Sequence, residues 1–369
     1  MTSRRERTII GTGIIGANPS RGWALAAHIP ALKALPGYAI RAVSASRLES
    51  AERSAQALGI VLAFDNHRDL LARSEIDLAI VSVKVPHHYE LATAALAAGK
   101  MVFCEWPLGR NLKEAEEIAA LARQKGLKTV VGLQGRFAPA VRYLRDLVAD
   151  GYVGKLLGTS MVGSSDAWDG VVDAASEYLA DANNGATLLA IAAGHAVDAL
   201  CFALGEFKSV SSTLIARRGQ AVRLPDSVPV PMTTHDQIAF SGTLENGALA
   251  SVHYRGGSSK GHDFVWEING TDGDIILTTE QGYVNISELK IQGAQGDGPL
   301  EVLTIPAEYR IAPAGVTGAA VNVAALYAQF ARDLAEGTRL TPDFDAAVQR
   351  HRLIDAIERS NTTGMRQTL

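Results

Sequence analysis

The sequence of 369 residues holds only two cysteines, Cys104 and Cys201, far apart along the chain. Two thiols cannot staple a chain of this length, so a secreted disulfide scaffold is excluded and two reduced, buried thiols are expected. No run of about 18 uninterrupted apolar residues is present, so no membrane span is read. The start, Met1-Thr2-Ser3-Arg4-Arg5-Glu6-Arg7, is basic like the first region of a signal peptide but lacks the apolar stretch that follows in one. A cytoplasmic protein is the expectation. An excess of one charge is missing too: the formal net charge is -4, and no polybasic run occurs. Nucleic acid and anionic membrane surfaces are therefore not expected partners. The histidines are scattered, and the adjacent pair His87 and His88 is poorly placed to converge on one ion, so no metal site is read. Neither a Ser–His–Asp nor a Cys–His arrangement is indicated.

What is present is ordinary globular composition, 47% hydrophobic and 20% charged, over a length that suits two domains. The first third alternates apolar strands (8–10, 39–43, 77–83, 101–104, 129–132) with helical stretches (23–35 with Pro30 as a kink or break, 48–58, 89–98, 112–124). That alternation predicts an α/β domain, a parallel sheet with helices on both faces. Beyond Pro139 and a helix at 140–150 the pattern changes to strands at 156–162, 210–216, 235–243, 248–254, 264–269 and 274–278. Turn signals such as Glu245-Asn246-Gly247 and Thr271-Asp272-Gly273 join several of them. A helix at 186–204 interrupts the set, and helices at 319–336 and 344–359 close the chain. This half reads as an α+β domain on a mostly antiparallel open sheet, with 292–315 as a surface loop. The expected division is a dinucleotide-binding Rossmann domain at 1–137 and a substrate and dimerisation domain at 138–369, whose last helices are free to pack back on the first.

Gly11-Thr12-Gly13-Ile14-Ile15-Gly16 matches G-x-G-x-x-G between a strand and a helix, the context in which such a motif binds a dinucleotide. On this reading Gly11 makes the tight turn, Gly13 admits the pyrophosphate, and Gly16 allows close packing at a helix N-terminus. Val43-Ser44-Ala45-Ser46-Arg47 offers no carboxylate for a ribose 2′-hydroxyl. Arg47 can pair a 2′-phosphate and Ser46 can donate to it, so NADP(H) is expected over NAD(H), with NAD(H) an alternative. Gln134 and Arg136, just past the strand at 129–132, can reach a ligand crevice or make a polar contact between domains. Lys84 and His88, just past the strand at 77–83, can line the cofactor cleft. Tyr178, Trp168 and Asp166 are candidate substrate contacts beside a plain structural role. In the strand at 248–254, Leu249, Ser251 and His253 share one face and Ala248, Ala250, Val252 and Tyr254 the other. The apolar face needs a cover of helices or a second subunit, and a homodimer or a dimer of dimers is expected.

Glu105-Trp106-Pro107-Leu108 and Gly194-His195-Ala196-Val197-Asp198, with the N-terminal glycine motif, resemble the glucose–fructose oxidoreductase, inositol dehydrogenase and MocA family. A longer set is similar to the galactose-regulon repressor branch of that family. It includes Gly22-Trp23-Ala24, His28-Ile29-Pro30-Ala31, His88-Tyr89-Glu90, Leu133-Gln134-Gly135-Arg136, Gly151-Tyr152-Val153-Gly154, Gly242-Thr243-Leu244 and Gly256-Gly257. The resemblance implies an oxidoreductase acting with NAD(P) on a small sugar-like or polyol alcohol or carbonyl. It places Glu105 and Trp106 at the cofactor, Trp106 also at the substrate, and His195 as the general acid–base. It also shows departures. Trp106 stands where catalytic members carry lysine, Ile191 where they carry aspartate, and Val83-Lys84-Val85-Pro86-His87-His88 replaces the usual Thr-Pro-Asn. These departures admit a second reading, a non-catalytic dinucleotide-binding regulator. A third is a lyase or hydrolase using bound NAD(H) as a redox relay.

Overall fold

A computed structural model describes residues 9–369; Thr8 of the expected first strand and the basic start lie outside the described residues. The chain divides into two units. The first runs to Gly109 and adds Lys113–Gly132 and Ile311–Val348; the second comprises Arg110–Leu112, Leu133–Arg310 and Gln349–Leu369.

The first unit is built on six parallel strands: β1 (Ile10–Ile15), β2 (Tyr38–Ser44), β3 (Leu62–Phe64), β4 (Leu78–Val81), β5 (Met101–Cys104) and β6 (Thr129–Val131). Their order is β3-β2-β1-β4-β5-β6, so the direction of winding reverses between β1 and β4. In an open parallel sheet that reversal opens a crevice beyond the carboxyl ends of the strands, where ligands bind. Leu78, Ala79, Ile80 and Val81 of β4 are fully buried, as expected of a strand covered on both faces. Pro30 does not end its helix. Residues 23–33 are helical throughout, and a widened turn at Ala24–His28 comes directly before the α-helical Ile29–Lys33 that contains the proline.

β1 corrects the reading of the glycine motif. Gly11, Gly13, Ile14 and Ile15 lie inside the strand, buried and paired with β2, and only Gly16 stands in the turn that follows. The first two glycines answer to close packing. A Cβ on Gly11 would sit 2.0 Å from the Glu75 carbonyl oxygen, and one on Gly13 would sit 2.6 Å from Leu70 Cδ2. The match to G-x-G-x-x-G is therefore out of register with the turn.

The second unit carries a nine-stranded sheet with β7 (Leu156–Ser165), β9 (Phe207–Ile215), β12 (Gln237–Leu244), β13 (Leu249–Gly256), β14 (Phe264–Gly270), β15 (Gly273–Thr279), β16 (Lys290–Gln295), β17 (Glu301–Val302) and β18 (Gln367–Thr368). The order is β17-β16-β15-β14-β7-β13-β12-β9-β18, with β7–β13 the one parallel neighbour pair. β16 and β17 occupy part of the stretch read as a loop at 292–315; their short polar segments carry little strand signal. A small three-stranded sheet, β8 (Val171–Asp173), β10 (Gln220–Leu224) and β11 (Val228–Pro231), was not anticipated. It closes over its own cluster of Val172, Ala180, Ala221, Val230 and Met232.

Both turn signals sit where expected, between β12 and β13 and between β14 and β15, and Gly247 takes a left-handed φ of 89°. Phe264, Ile268 and Leu277 are fully buried, each contributing about 1.5–3 kcal/mol relative to exposure. Ala248, Ala250, Val252 and Tyr254 are likewise buried within the unit. Residues 349–363 of the last helix pack on this face through Ser212, whose Oγ donates to the Ile357 carbonyl at 2.6 Å. Helices thus cover the apolar face, and the side bearing Leu249 and His253 is the open one.

Candidate functional site

In the first unit the ends of β1, β2, β4 and β5 present the candidate groups. Gly16 N donates to the Ser44 carbonyl at 3.0 Å, tying the turn after β1 to the end of β2. Gly16 has φ 100°, and a Cβ there would sit 2.3 Å from the Ser82 carbonyl oxygen, so only glycine fits. The turn continues through Ala17-Asn18-Pro19-Ser20-Arg21 to Gly22, φ 94°, and into the helical residues 23–33. Asn18 Oδ1 accepts from Ser20 N and Oγ, both at 3.0 Å, which fixes the loop locally. Backbone held open at Gly16 and Gly22 before a helix N-terminus fits the pyrophosphate of a dinucleotide. This stretch is the phosphate-loop candidate that the glycine spacing missed; its sequence signal is the Asn-Pro turn pair and the isolated Gly22.

Ser46 and Arg47 are exposed just past the end of β2. Glu49, the first acid after them, lies in the following helix Leu48–Leu58, where Arg53 Nη1 is 3.8 Å from its Oε1. Lys84 is exposed after β4. His88 is not a cleft residue but a buried tie. Its Nδ1 lies 2.7 Å from the Pro107 carbonyl and its Nε2 3.0 Å from that of Val83, leaving neither nitrogen for a ligand. Burial holds its pKa below the ordinary imidazole value, against the pull of those carbonyls and of Glu105. Trp106 is buried, and Glu105 keeps 12% of its side chain exposed beside Gly132, where a Cβ would meet Glu105 Oε2 at 2.7 Å.

In the second unit His195 sits in the helix Gly194–Leu204, buried to 6% exposure. Three residues on, one helical turn away, Asp198 accepts a two-pronged pair from Arg136, Nε to Oδ2 at 2.8 Å and Nη2 to Oδ1 at 2.7 Å. Arg350 Nε reaches Asp198 Oδ1 at 3.3 Å and holds Glu206 with Nη1 at 3.1 Å and Nη2 at 2.9 Å. Burial disfavours the charged carboxylate of Asp198, but Arg136, Arg350 and His195 outweigh it and keep its pKa below the usual range. Arg136 is thus committed to an internal ion pair rather than to a substrate. Gln134 is 1% exposed, and neither its Oε1 nor its Nε2 has a hydrogen-bond partner. Its neighbour Gly135 lies against the His195 carbonyl and the Asn285 Cβ, a Cβ on it meeting each at 3.7 Å.

Tyr178 is half-buried, and burial raises the pKa of its phenol. Trp168 is buried, and Asp166 accepts from Tyr283 Oη at 2.8 Å. The structure therefore brings Gly135, next to Gln134 in sequence, against the His195 carbonyl and Asn285; Asn285 was missed because one asparagine in an irregular segment carries no spacing signal. Cys104 and Cys201 are buried free thiols. Among the described residues no three His, Cys, Asp or Glu side chains gather as metal ligands, and no helix is long and apolar enough to cross a membrane.

The model of the oxidoreductase family with an NAD-binding Rossmann fold, named for glucose–fructose oxidoreductase, inositol dehydrogenase and MocA, matches residues 8–133; that of the Gal80p C-terminal domain matches residues 139–279. The dehydrogenase aclE of Aspergillus oryzae is 31% identical over 349 residues, 89% of this chain and 88% of its own. The chain belongs to the glucose–fructose oxidoreductase, inositol dehydrogenase and MocA family. The GAL80 galactose/lactose metabolism regulatory protein of Saccharomyces cerevisiae is 28% identical over 76% of this chain and 69% of its own. A crystal structure of a super-repressor mutant of that protein superimposes with a TM-score of 0.88 at 25% identity, covering 98% of each chain. Levoglucosan dehydrogenase of Pseudarthrobacter phenanthrenivorans is 26% identical over 95% of each. The family has both dehydrogenases and a regulator among this chain's relatives, so membership alone does not decide between catalysis and regulation.

Proposed function

We propose that the chain is an NADP(H)-preferring oxidoreductase acting on a sugar-like or polyol alcohol or carbonyl, with His195 as its proton carrier. The observation that carries the reading is the buried Gln134 amide, its donor and acceptor both unmet, next in sequence to Gly135, which lies against the His195 carbonyl. Leaving such groups unpaired costs about 1–3 kcal/mol each, and a hydroxyl, which both donates and accepts, satisfies them. The first unit supplies the dinucleotide residues: the loop from Gly16 to Gly22, Ser46 and Arg47 for a 2′-phosphate, and Glu105, with Lys84 and Trp106 nearby in sequence to strand ends. The second supplies Gln134, His195 and Tyr178 for the substrate. A bound nicotinamide supplies or accepts the hydride. His195 takes the hydroxyl proton in oxidation or returns it in reduction, and ionised Asp198 one turn away stabilises the imidazolium. The open sheet face, with Leu249 57% exposed and Val162 39% exposed, is the surface we assign to a second copy of the chain.

The test is a screen of sugars, polyols and ketones with NADP(H), read by the absorbance of the reduced nicotinamide. Turnover is expected, and His195→Ala should lower it by about 100- to 10,000-fold with cofactor affinity little changed. The buried Trp106 at the family lysine position and Ile191 at the aspartate position favour one other reading, a dinucleotide-binding regulator. Tight NADP(H) binding with no hydride transfer across the whole screen selects it.

A further inference from the structure

One buried polar group of the first unit has no part in that reaction. His28 is fully buried on the helical stretch that follows Gly22. Its ring meets Phe103 of β5 edge-on, centroids 5.0 Å apart, and that of Tyr327 at 5.8 Å. Nδ1 lies 2.8 Å from Tyr327 Oη, and Nε2 lies 2.8 Å from Glu105 Oε1. The second contact is close but off the line of a hydrogen bond, so the carboxylate is held without being saturated. Tyr327 belongs to the helix Ala320–Glu336, and its carbonyl accepts from Tyr38 Oη at 2.8 Å. Burial pushes its phenol well above the ordinary pKa, so it remains a donor.

A neutral imidazole has one N–H. With Tyr327 donating to Nδ1, that proton must sit on Nε2, facing Glu105. The other tautomer would set a lone pair of Nε2 against the carboxylate. Gly132, with no Cβ, leaves the space that Glu105 Oε2 fills. The strand order fixes what Glu105 faces. The residues past β2 read the adenosine ribose, so the other half of a dinucleotide lies over β4 and β5. Glu105 directly follows β5.

We propose that His28, oriented by Tyr327, is a positioning residue that holds the Glu105 carboxylate for the nicotinamide riboside half of the cofactor, whose ribose hydroxyls and carboxamide are the donors it can accept from. This rests on the cofactor reading above. The experiment is calorimetry with NADPH and with adenosine 2′,5′-bisphosphate, which lacks the whole nicotinamide riboside half. Glu105→Gln and His28→Gln should each weaken NADPH by about 10- to 100-fold, the worth of one hydrogen bond to a charged group. Affinity for adenosine 2′,5′-bisphosphate should not change. The double variant should bind NADPH no worse than Glu105→Gln alone, because the two act as one unit. Tyr327→Phe removes one oxygen, keeps the ring, and should show a smaller loss of the same selectivity. Equal losses on both ligands, additive losses, or none would overturn the proposal. Failure of the unaltered protein to bind either ligand would instead remove the cofactor reading on which it stands.

Discussion

The two units bury polar groups in different ways. In the second, Asp198 and Arg350 are essentially fully buried and Arg136 and Glu206 largely so, as two carboxylates between two guanidinium groups. In the first, the deepest basic groups are imidazoles: His28 between a phenol and a carboxylate, and His88 between two backbone carbonyls. Guanidinium–carboxylate pairs keep their charges at any pH near neutrality, whereas an imidazole changes charge there. The second unit therefore holds its helix, and His195 on it, with fixed charge. The first holds the end of its fourth strand with His88, an imidazole whose charged form burial disfavours.

Removing a fixed charge should have the largest effect. Asp198→Asn leaves Arg136 and Arg350 facing a neutral amide, and breaking a buried pair on one side costs about 3–5 kcal/mol. Urea unfolding should show that loss at pH 7. The sign with pH follows from the depressed folded-state pKa of Asp198. The stability it gives is present above the unfolded carboxylate value and is lost only as pH falls through the folded one, so this cluster should not respond between pH 5 and 7. A loss below about 1 kcal/mol would mean that the pair is a surface-like contact despite its burial.

Arginines sharpen the same contrast. Arg136 and Arg350 are committed, while Arg47 is exposed past β2 and its guanidinium is held by no hydrogen bond or ion pair among the described residues. Arg47→Ala should weaken NADPH by roughly 1–3 kcal/mol and leave NADH and stability nearly unchanged. Equal affinity of the unaltered protein for NADH and NADPH would remove the preference.

Much of this architecture was legible in the sequence, because strand periodicity and turn residues act locally. Helix Leu48–Leu58 and the turns at Asn246-Gly247 and Asp272-Gly273 lie where the residues point. The glycine motif was misplaced for a physical reason: two of its glycines serve close packing inside β1, which spacing cannot tell from close approach to a phosphate. Arg136 and His88 looked like ligand residues because their partners, Asp198 and the carbonyls of Val83 and Pro107, are distant in sequence or belong to the backbone. The His28–Tyr327 contact joins residues 299 apart, which no local pattern reveals.

The smallest effect tests the His88 side of the comparison. The folded-state pKa of His88 lies below its ordinary value, chiefly because burial disfavours the imidazolium. Exposed His87 adds to the shift, while the Pro107 and Val83 carbonyls and Glu105 oppose it. As pH falls through the unfolded imidazole value near 6.5, the unfolded chain takes up a proton that the folded chain does not. Stability should therefore be full above that value, fall below it, and level off once pH passes the folded-state pKa. One proton can account for at most about 1.4 kcal/mol per pH unit across that window. His88→Asn retains an amide able to donate to a carbonyl but cannot titrate, so the variant should be less stable at pH 7 and flatter between pH 7 and 5. Asp198→Asn should keep the slope of the unaltered protein while losing stability at every pH. Urea midpoints of the three proteins at pH 5, 6 and 7 decide it. A slope unchanged in His88→Asn, or abolished in Asp198→Asn, would mean that pH sensitivity does not lie with the buried imidazole of the first unit.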